Sequence, residues 1–132
     1  MARTPSLELD LPSCAEAPAI ARAAISGVCE NLDGHESWLE SLRLLVSELV
    51  TNAVKHSRAP SDATIGLHVC LCQEGARVTV IDQGDGFIPA PRDPAQSGGG
   101  YGLYLVKRLA ARWGIEVADS TRVWFELPLK AE

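Results

Sequence analysis

The segment from His35 to about Lys55 carries the strongest structural signal in the sequence and limits what the chain can fold into. Its apolar residues recur at intervals of three and four, a spacing that forms one stripe along an α-helix. The stripe consists of Leu39, Leu42, Val46, Leu49 and Ala53. Such a stripe has to be covered by a second layer of structure. The fold must therefore place this helix against another helix or a sheet.

Several β-rich runs supply the second layer. Thr64 to Cys72 and Arg77 to Asp82 are joined by Gln73, Glu74 and Gly75, which is typical of a β-hairpin. Residues 6–11 alternate between apolar and polar types, so they predict a strand with leucines 7, 9 and 11 facing inward. Ile115 to Ala118 and Val123 to Leu127 predict two closing strands.

Two further helices complete the pattern. The first runs from Ala15 to about Leu32 with Ile20, Ala24 and Val28 at helical spacing, and Pro18 places its start near Glu16 or Ala17. The second runs from Leu103 to about Trp113 and ends at Gly114. The order β-α-α-β-β-α-β-β predicts a single α/β (α+β) domain over residues 1–132. We expect a two-layer sandwich with a mixed sheet and helices on one face.

Composition narrows the classes of partner. The net charge is −5 and no Lys/Arg-rich run is present, so a nucleic-acid backbone is a poor match. A basic protein surface, or a nucleotide with its cation, fits better. The sequence has no signal peptide and no apolar run long enough to span a membrane, which predicts a cytoplasmic protein. The four cysteines, Cys14, Cys29, Cys70 and Cys72, lack metal-site spacing and are interpreted as free thiols.

The first segment with chemical potential is SELVTNAVKHS, residues 47–57. Glu48 and Asn52 are one helical turn apart, about 40° from each other around the axis, and Lys55 follows on the same side. A carboxylate, an amide oxygen and an ammonium on one strip suit a site for Mg²⁺ and phosphates. The alternative is a solvated helix face.

The second segment is VTVIDQGDGF, residues 78–87, in which a strand pattern ends at Asp82 and continues with Gly84 and Gly86. A carboxylate at a strand end can accept a hydrogen bond from the exocyclic amine of a purine. Neighbouring glycines let a flat ring approach the backbone. The alternative is an ordinary β-turn.

The third segment is SGGGYGLYLVKRLA, residues 97–110, in which glycines lead directly into a helix. Free amides at a helix N-terminus form an anion site. The segment lacks the Lys-Ser/Thr ending of a P-loop and the third glycine of a dinucleotide fingerprint. The alternative is a flexible linker, although the apolar helix that follows is unusual for one.

Together the three segments resemble the histidine-kinase-like ATPase (GHKL) superfamily of nucleotide-binding proteins. ELVTNAVKHS is similar to its N-box at Glu48 and Asn52. DQGDG is similar to its D-x-G-x-G box, and GYGLYLVKRL to its G-x-G-L box. The closing VWFELP, residues 123–128, resembles the last strand of the bacterial anti-sigma-factor serine kinase branch.

The resemblance implies a role for each matched residue. Asn52 would be a ligand of Mg²⁺, Glu48 would act as the base or orient the attacking hydroxyl, and Asp82 would hold the adenine amine. The glycines of the two boxes would bind ATP: Gly84, Gly86, Gly98, Gly100 and Gly102. Lys55 would contact phosphate, and the segment from about Phe87 to Gly99 would close as a lid, with Arg92 as its cationic candidate.

The implied activity is a protein-serine kinase that phosphorylates an anti-sigma-factor antagonist and sequesters a sigma factor. A homodimer is also compatible with this branch. One alternative is a nucleotide-binding regulatory module with little or no kinase activity. Others are the catalytic domain of a split histidine kinase and a plain structural domain.

One position departs from the branch. Relatives often place a threonine two residues before the tryptophan of the last strand, where this chain has Arg122 and Thr121 stands one residue earlier. A shift of one residue reverses the face of a strand, which argues against a water-mediated link between a threonine here and Asp82.

Overall fold

The computed structural model describes residues 6–30, 32, 34–56, 63–82 and 102–129. Its three helices and five strands follow the predicted order. They are β1 (Leu7–Pro12), α1 (Ala17–Val28), α2 (Glu36–His56), β2 (Thr64–Cys72), β3 (Gly75–Asp82), α3 (Gly102–Leu109), β4 (Arg112–Val117) and β5 (Thr121–Pro128).

The five strands form one sheet in the order β1-β2-β3-β5-β4, and every pairing is antiparallel. The sheet within the described residues is therefore not mixed, and that part of the prediction is wrong. A helical crossover from β3 through α3 usually brings a parallel neighbour. Here β5 returns by a hairpin and inserts between β3 and β4, so the two parallel strands never pair.

The inner face of the sheet and the α2 stripe form the core, as predicted for a two-layer sandwich. Alternate residues of the central strands are buried there, including Leu67, Val78 and Phe125. Leu42, Val46 and the neighbouring buried residues of α2 belong to the same hydrophobic cluster. Burial of these apolar side chains is the main stabilising contribution to the fold.

The β2–β3 hairpin turns over Gln73 and Glu74, because Cys72 pairs directly with Gly75. Gly75 has φ of 145° and lies against the backbone of β5, where a Cβ would collide with the Leu127 carbonyl. Glycine alone meets both requirements. The N–H of Leu129 also donates to the Glu74 carbonyl at 2.8 Å, which ties the turn to the end of β5.

Helix α1 buries a stripe other than the one at residues 20, 24 and 28 that indicated a helix. Ala17, Ala21 and Ile25 are buried, whereas Ile20 is 40% exposed. Two stripes at a spacing of four run side by side on this helix, and their residue types do not distinguish them. The buried stripe lies on the side of α1 that packs on α2, where two hydrogen bonds join the helices: Arg22 Nη1 donates to Ser47 Oγ at 2.8 Å, and Arg43 Nη1 donates to Ser26 Oγ at 3.1 Å.

Helix α3 ends four residues earlier than predicted, at Leu109, and Arg112 and Trp113 belong to β4 instead. Strand pairing overrides the helical pattern, since Trp113 is opposite Phe125 and Gly114 is opposite Trp124. A Cβ on Gly114 would lie only 2.7 Å from Trp124 Nε1, so the indole occupies the space that a side chain would need.

On the outer face of the sheet, charged groups surround Trp124. The guanidinium of Arg77 lies 4.1 Å from the centroid of the indole. Arg77 Nη1 donates to Glu126 Oε2 at 2.8 Å, and Arg112 Nη1 lies 3.5 Å from the other carboxylate oxygen. Glu126 is only 9% exposed, and this pairing explains how its charge is accommodated.

All four cysteines are free thiols, as the sequence analysis expected; Cys29 is buried and the other three are partly buried. Among the described residues, no helix is long and apolar enough to cross a membrane.

Candidate functional site

A pocket lies on the inner side of the sheet, between α2 and the strands β3 and β5. Its empty space, including the part open to solvent, is about 350 Å³. The walls come from three elements and consist of Leu49, Asn52, Ala53, Val80, Asp82, Thr121 and Val123. The pocket therefore joins the first of the three predicted segments to the second.

Two polar side chains on neighbouring strands lie at one end of the pocket. Asp82 is the last residue of β3 and pairs with Thr121, the first residue of β5. Asp82 is 7% exposed and Thr121 is 3% exposed. Both take part in polar or electrostatic interactions within the structure.

Thr121 lines the pocket together with Asp82, so the shift of one residue along the strand does not remove it from the site. Residues directly opposite each other on antiparallel strands point to the same face. Arg122 pairs with Ile81 and is exposed on the outer face. The register between β3 and β5 decides this, and a comparison of positions along one strand could not reveal it.

Helix α2 supplies the third wall. Leu49, Asn52 and Ala53 recur at intervals of three and four, so they share one side of the helix. Asn52 is half-buried at the border between the apolar stripe and solvent. Glu48 is half-buried one turn earlier and Lys55 is exposed, and neither is among the described residues that line the pocket.

The remaining predicted site residues are the glycines and the lid. Gly84, Gly86, Gly98 and Gly100 lie outside the described residues, as does the predicted lid from Phe87 to Gly99 with Arg92. Gly102 is the first residue of α3, as the prediction of glycines at a helix N-terminus requires.

Sequence reasoning assigned no site role to the apolar walls. Val80 lies two residues before Asp82, and Val123 lies two residues after Thr121. Period-two alternation places each valine on the same face as its polar neighbour. Leu49 and Ala53 belong to the predicted apolar stripe of α2. They become pocket walls only because β3 and β5 lie opposite them across the pocket.

The pocket is chemically suited to a flat ring with an amine. Leu49, Val80 and Val123 provide apolar walls, whereas the Asp82 carboxylate, the Thr121 hydroxyl and the Asn52 amide provide hydrogen-bonding groups. Small-molecule sites typically combine mostly apolar walls with a few converging polar groups. The observed residues therefore fit the adenine portion of a nucleotide.

The fold and pocket define an α/β sandwich with a ligand pocket between its central helix and its sheet. Residues 39–131 match the family described as histidine kinase-, DNA gyrase B-, and HSP90-like ATPase, and the chain belongs to this family.

The chain is similar to two named serine-protein kinases. A serine-protein kinase named RsbW from Bacillus subtilis is 28% identical over 116 residues, which cover 78% of this chain and 72% of the relative. The protein of the same name from Bacillus licheniformis is 27% identical over 130 residues, covering 89% of this chain and 81% of the relative.

A solved structure agrees with the fold. The crystal structure of the RsbU and RsbW domains of a Mycobacterium tuberculosis protein matches with a TM-score of 0.71 and 22% identity. The match covers 98% of this chain and 34% of that one, so this chain spans about a third of the solved protein.

Proposed function

We propose that the chain is an ATP- and Mg²⁺-dependent protein-serine kinase that also acts as an anti-sigma factor. The observation that carries the proposal is the pocket that brings Asn52 of the N-box helix together with buried Asp82. Membership of the ATPase family supports nucleotide binding. The relatives named serine-protein kinase support protein phosphorylation rather than another use of ATP.

We assign the adenine to the Asp82 end of the pocket. The carboxylate would accept a hydrogen bond from the exocyclic amine, with Thr121 beside it and the valines covering the ring. Guanine carries a carbonyl oxygen where adenine carries this amine, and an oxygen facing a buried carboxylate leaves both acceptors unsatisfied. The site should therefore discriminate strongly against GTP.

We assign the phosphates to the Asn52 end. The amide oxygen of Asn52 is a hard ligand suited to Mg²⁺, which would neutralise phosphate charge. The backbone amides at the start of α3, from Gly102, would face the phosphates together with Gly84, Gly86, Gly98 and Gly100. Exposed Lys55 is expected to contribute a positive charge to the same end.

Glu48 would act on the protein substrate. It lies one turn before Asn52 and is half-buried, a position from which its carboxylate can face a hydroxyl approaching the phosphates. The serine oxygen of the antagonist forms a bond to the γ-phosphorus, the bond to the ADP oxygen breaks, and the serine proton passes to Glu48. Positioning and charge neutralisation account for most of the rate enhancement in such transfers.

The regulatory part of the proposal concerns two protein partners. The chain would bind either a sigma factor or the antagonist, but not both at once. Phosphorylation would stop the antagonist from competing, and the sigma factor would therefore stay sequestered. A homodimer is compatible with this arrangement.

The test begins with the purified chain, ATP, Mg²⁺ and a candidate antagonist encoded in a neighbouring gene. Intact mass spectrometry should show one phosphoryl group gained by the antagonist. Glu48→Gln should retain ATP binding by calorimetry and slow the transfer at least about a hundredfold, the effect typical of a lost general base. Asn52→Ala should abolish Mg²⁺-dependent binding while the circular dichroism spectrum stays unchanged.

Glu40→Gln is the matched control, because Glu40 is an exposed carboxylate on the same helix. It should leave both binding and transfer intact. Binding of ATP without transfer to any candidate would favour a regulatory nucleotide-binding module without kinase activity. Unchanged ATP affinity in Asn52→Ala would show that the metal assignment is wrong.

A further inference from the structure

The place where α3 leads into β4 has an unusual surface, which we call the α3–β4 corner: Lys107, Arg108, Leu109 and Arg112. It is basic although the chain as a whole carries a net charge of −5. Lys107 and Arg108 occupy the exposed last turn of α3, and the Arg112 side chain is 69% exposed. A local cluster of cations on an acidic protein favours an acidic partner.

Apolar side chains are exposed at this corner and at the far end of β4. Leu109 is 43% exposed and Val117 is 45% exposed, and they are two of the four large hydrophobic residues that the described part of the chain leaves exposed. Val117 points to the inner face of the sheet, because it pairs with Thr121 of the pocket. A partner that covers Leu109 and Val117 would therefore lie at the side of the sheet.

Strand β4 is an edge of the sheet, and no other described strand pairs with its outer side. The opposite edge, β1, is less receptive to a further strand, since it ends at Pro12 and carries acidic Glu8 and Asp10. Proline and charge are common means of blocking an edge. Strand β4 has no proline and has Gly114 at its centre.

Two of the cations are held in place within the structure. Arg108 Nη1 donates to the Tyr104 hydroxyl at 3.2 Å and its guanidinium lies 5.7 Å from the Tyr104 ring centroid. Arg112 lies 3.5 Å from Glu126 and 5.7 Å from the Trp124 ring centroid. Side chains that are already ordered lose less entropy when a partner binds.

We propose that the α3–β4 corner docks an extended segment of a partner protein in which acidic and apolar residues alternate. The segment would pair with β4 as an additional strand, in the manner of β-augmentation. Its inward apolar side chains would cover Leu109 and Val117, and its outward acidic side chains would meet Arg112. The acidic residue at its end beside α3 would meet Lys107 and Arg108.

A synthetic peptide tests the proposal without reference to nucleotide or kinase activity. A fluorescein-labelled ten-residue peptide of alternating glutamate and valine is titrated with the full chain, and fluorescence anisotropy reports binding. We expect saturable binding that Lys107→Glu with Arg108→Glu weakens at least about tenfold. These substitutions leave the partners of Glu126 intact, and Leu109→Ser should also weaken binding through lost apolar contact.

Arg122→Glu is the matched control, since Arg122 is an exposed cation on the outer face of neighbouring β5. It should leave the affinity within about twofold. Hydrogen exchange should show new protection of β4 amides when the peptide binds. The proposal is overturned by absence of binding, by equal affinity for a lysine–valine peptide, by an equal effect of Arg122→Glu, or by unprotected β4 amides.

Discussion

Asp82 and Thr121 lie directly opposite each other at the ends of β3 and β5, and both are buried against α2. This pairing decides which residues face the pocket. Because side chains alternate along a strand, Val80 and Val123 share the pocket face, whereas Ile81 and Arg122 face the other side. The composition of the polar end of the pocket thus depends on the register between β3 and β5.

Asp82→Asn should weaken ATP binding about tenfold, because a charge-assisted hydrogen bond to the adenine amine becomes a neutral one. Thr121→Val should weaken it several-fold by removing the hydroxyl without changing the shape of the side chain. Thr79→Val is the control, since Thr79 lies on the outer face opposite Trp124. Calorimetry provides the affinities, and unchanged values for both pocket variants would refute the adenine assignment.

Arg122→Thr should leave ATP affinity within about twofold, even though it restores the threonine that relatives often carry at this position. The reason is that Arg122 faces away from Asp82 and is exposed. A clear gain in affinity would indicate that β5 is shifted by one residue relative to β3.

Ile25→Ala should lower the free energy of unfolding by about 2–5 kcal/mol, since Ile25 is fully buried and its loss leaves a cavity. Ile20→Ala should change it by no more than about 0.5 kcal/mol, because Ile20 is 40% exposed. Urea denaturation measures both variants. The reverse ranking would show that α1 buries the stripe that contains Ile20 instead.

Gly114→Ala should destabilise the fold by about 1–3 kcal/mol, because the new Cβ would lie 2.7 Å from Trp124 Nε1. Gly27→Ala is a matched control on α1, where a Cβ would meet nothing within 4 Å. It should stabilise the fold by up to about 1 kcal/mol through helix propensity. Thermal melts of the two variants should shift in opposite directions, and similar shifts would contradict the packing of Trp124 on Gly114.

The Cys29 thiol should react with iodoacetamide more slowly than the other three thiols at pH 8. Burial raises the pKa of the Cys29 thiol, an effect that nearby Arg43 partly opposes. A raised pKa lowers the fraction of reactive thiolate at any pH below it, and burial also blocks access. Mass spectrometry of the native chain should find Cys29 labelled last, whereas in urea all four should react alike.

Much of this protein is determined by local pattern. The α2 stripe, the β2–β3 hairpin and the order of the elements are visible in the sequence because helices and strands impose different periods on apolar residues. The three motif segments also indicated the ATPase family. Each motif is defined by particular residue types at short spacings along the chain, so it can be read from the sequence alone. Asn52 and Asp82 were predicted to share a site, and the pocket contains both.

Tertiary structure decided what depends on contacts between distant segments. The two stripes of α1 are equivalent until α1 packs on α2, where Arg22 of α1 and Arg43 of α2 each reach a serine of the other helix. Strand β4 begins at Arg112 because Arg112 and Trp113 pair with β5, although the same two residues continue a helical pattern. Thr121 joins the pocket through its pairing with Asp82, and the register between two strands is a property of the folded sheet rather than of either strand.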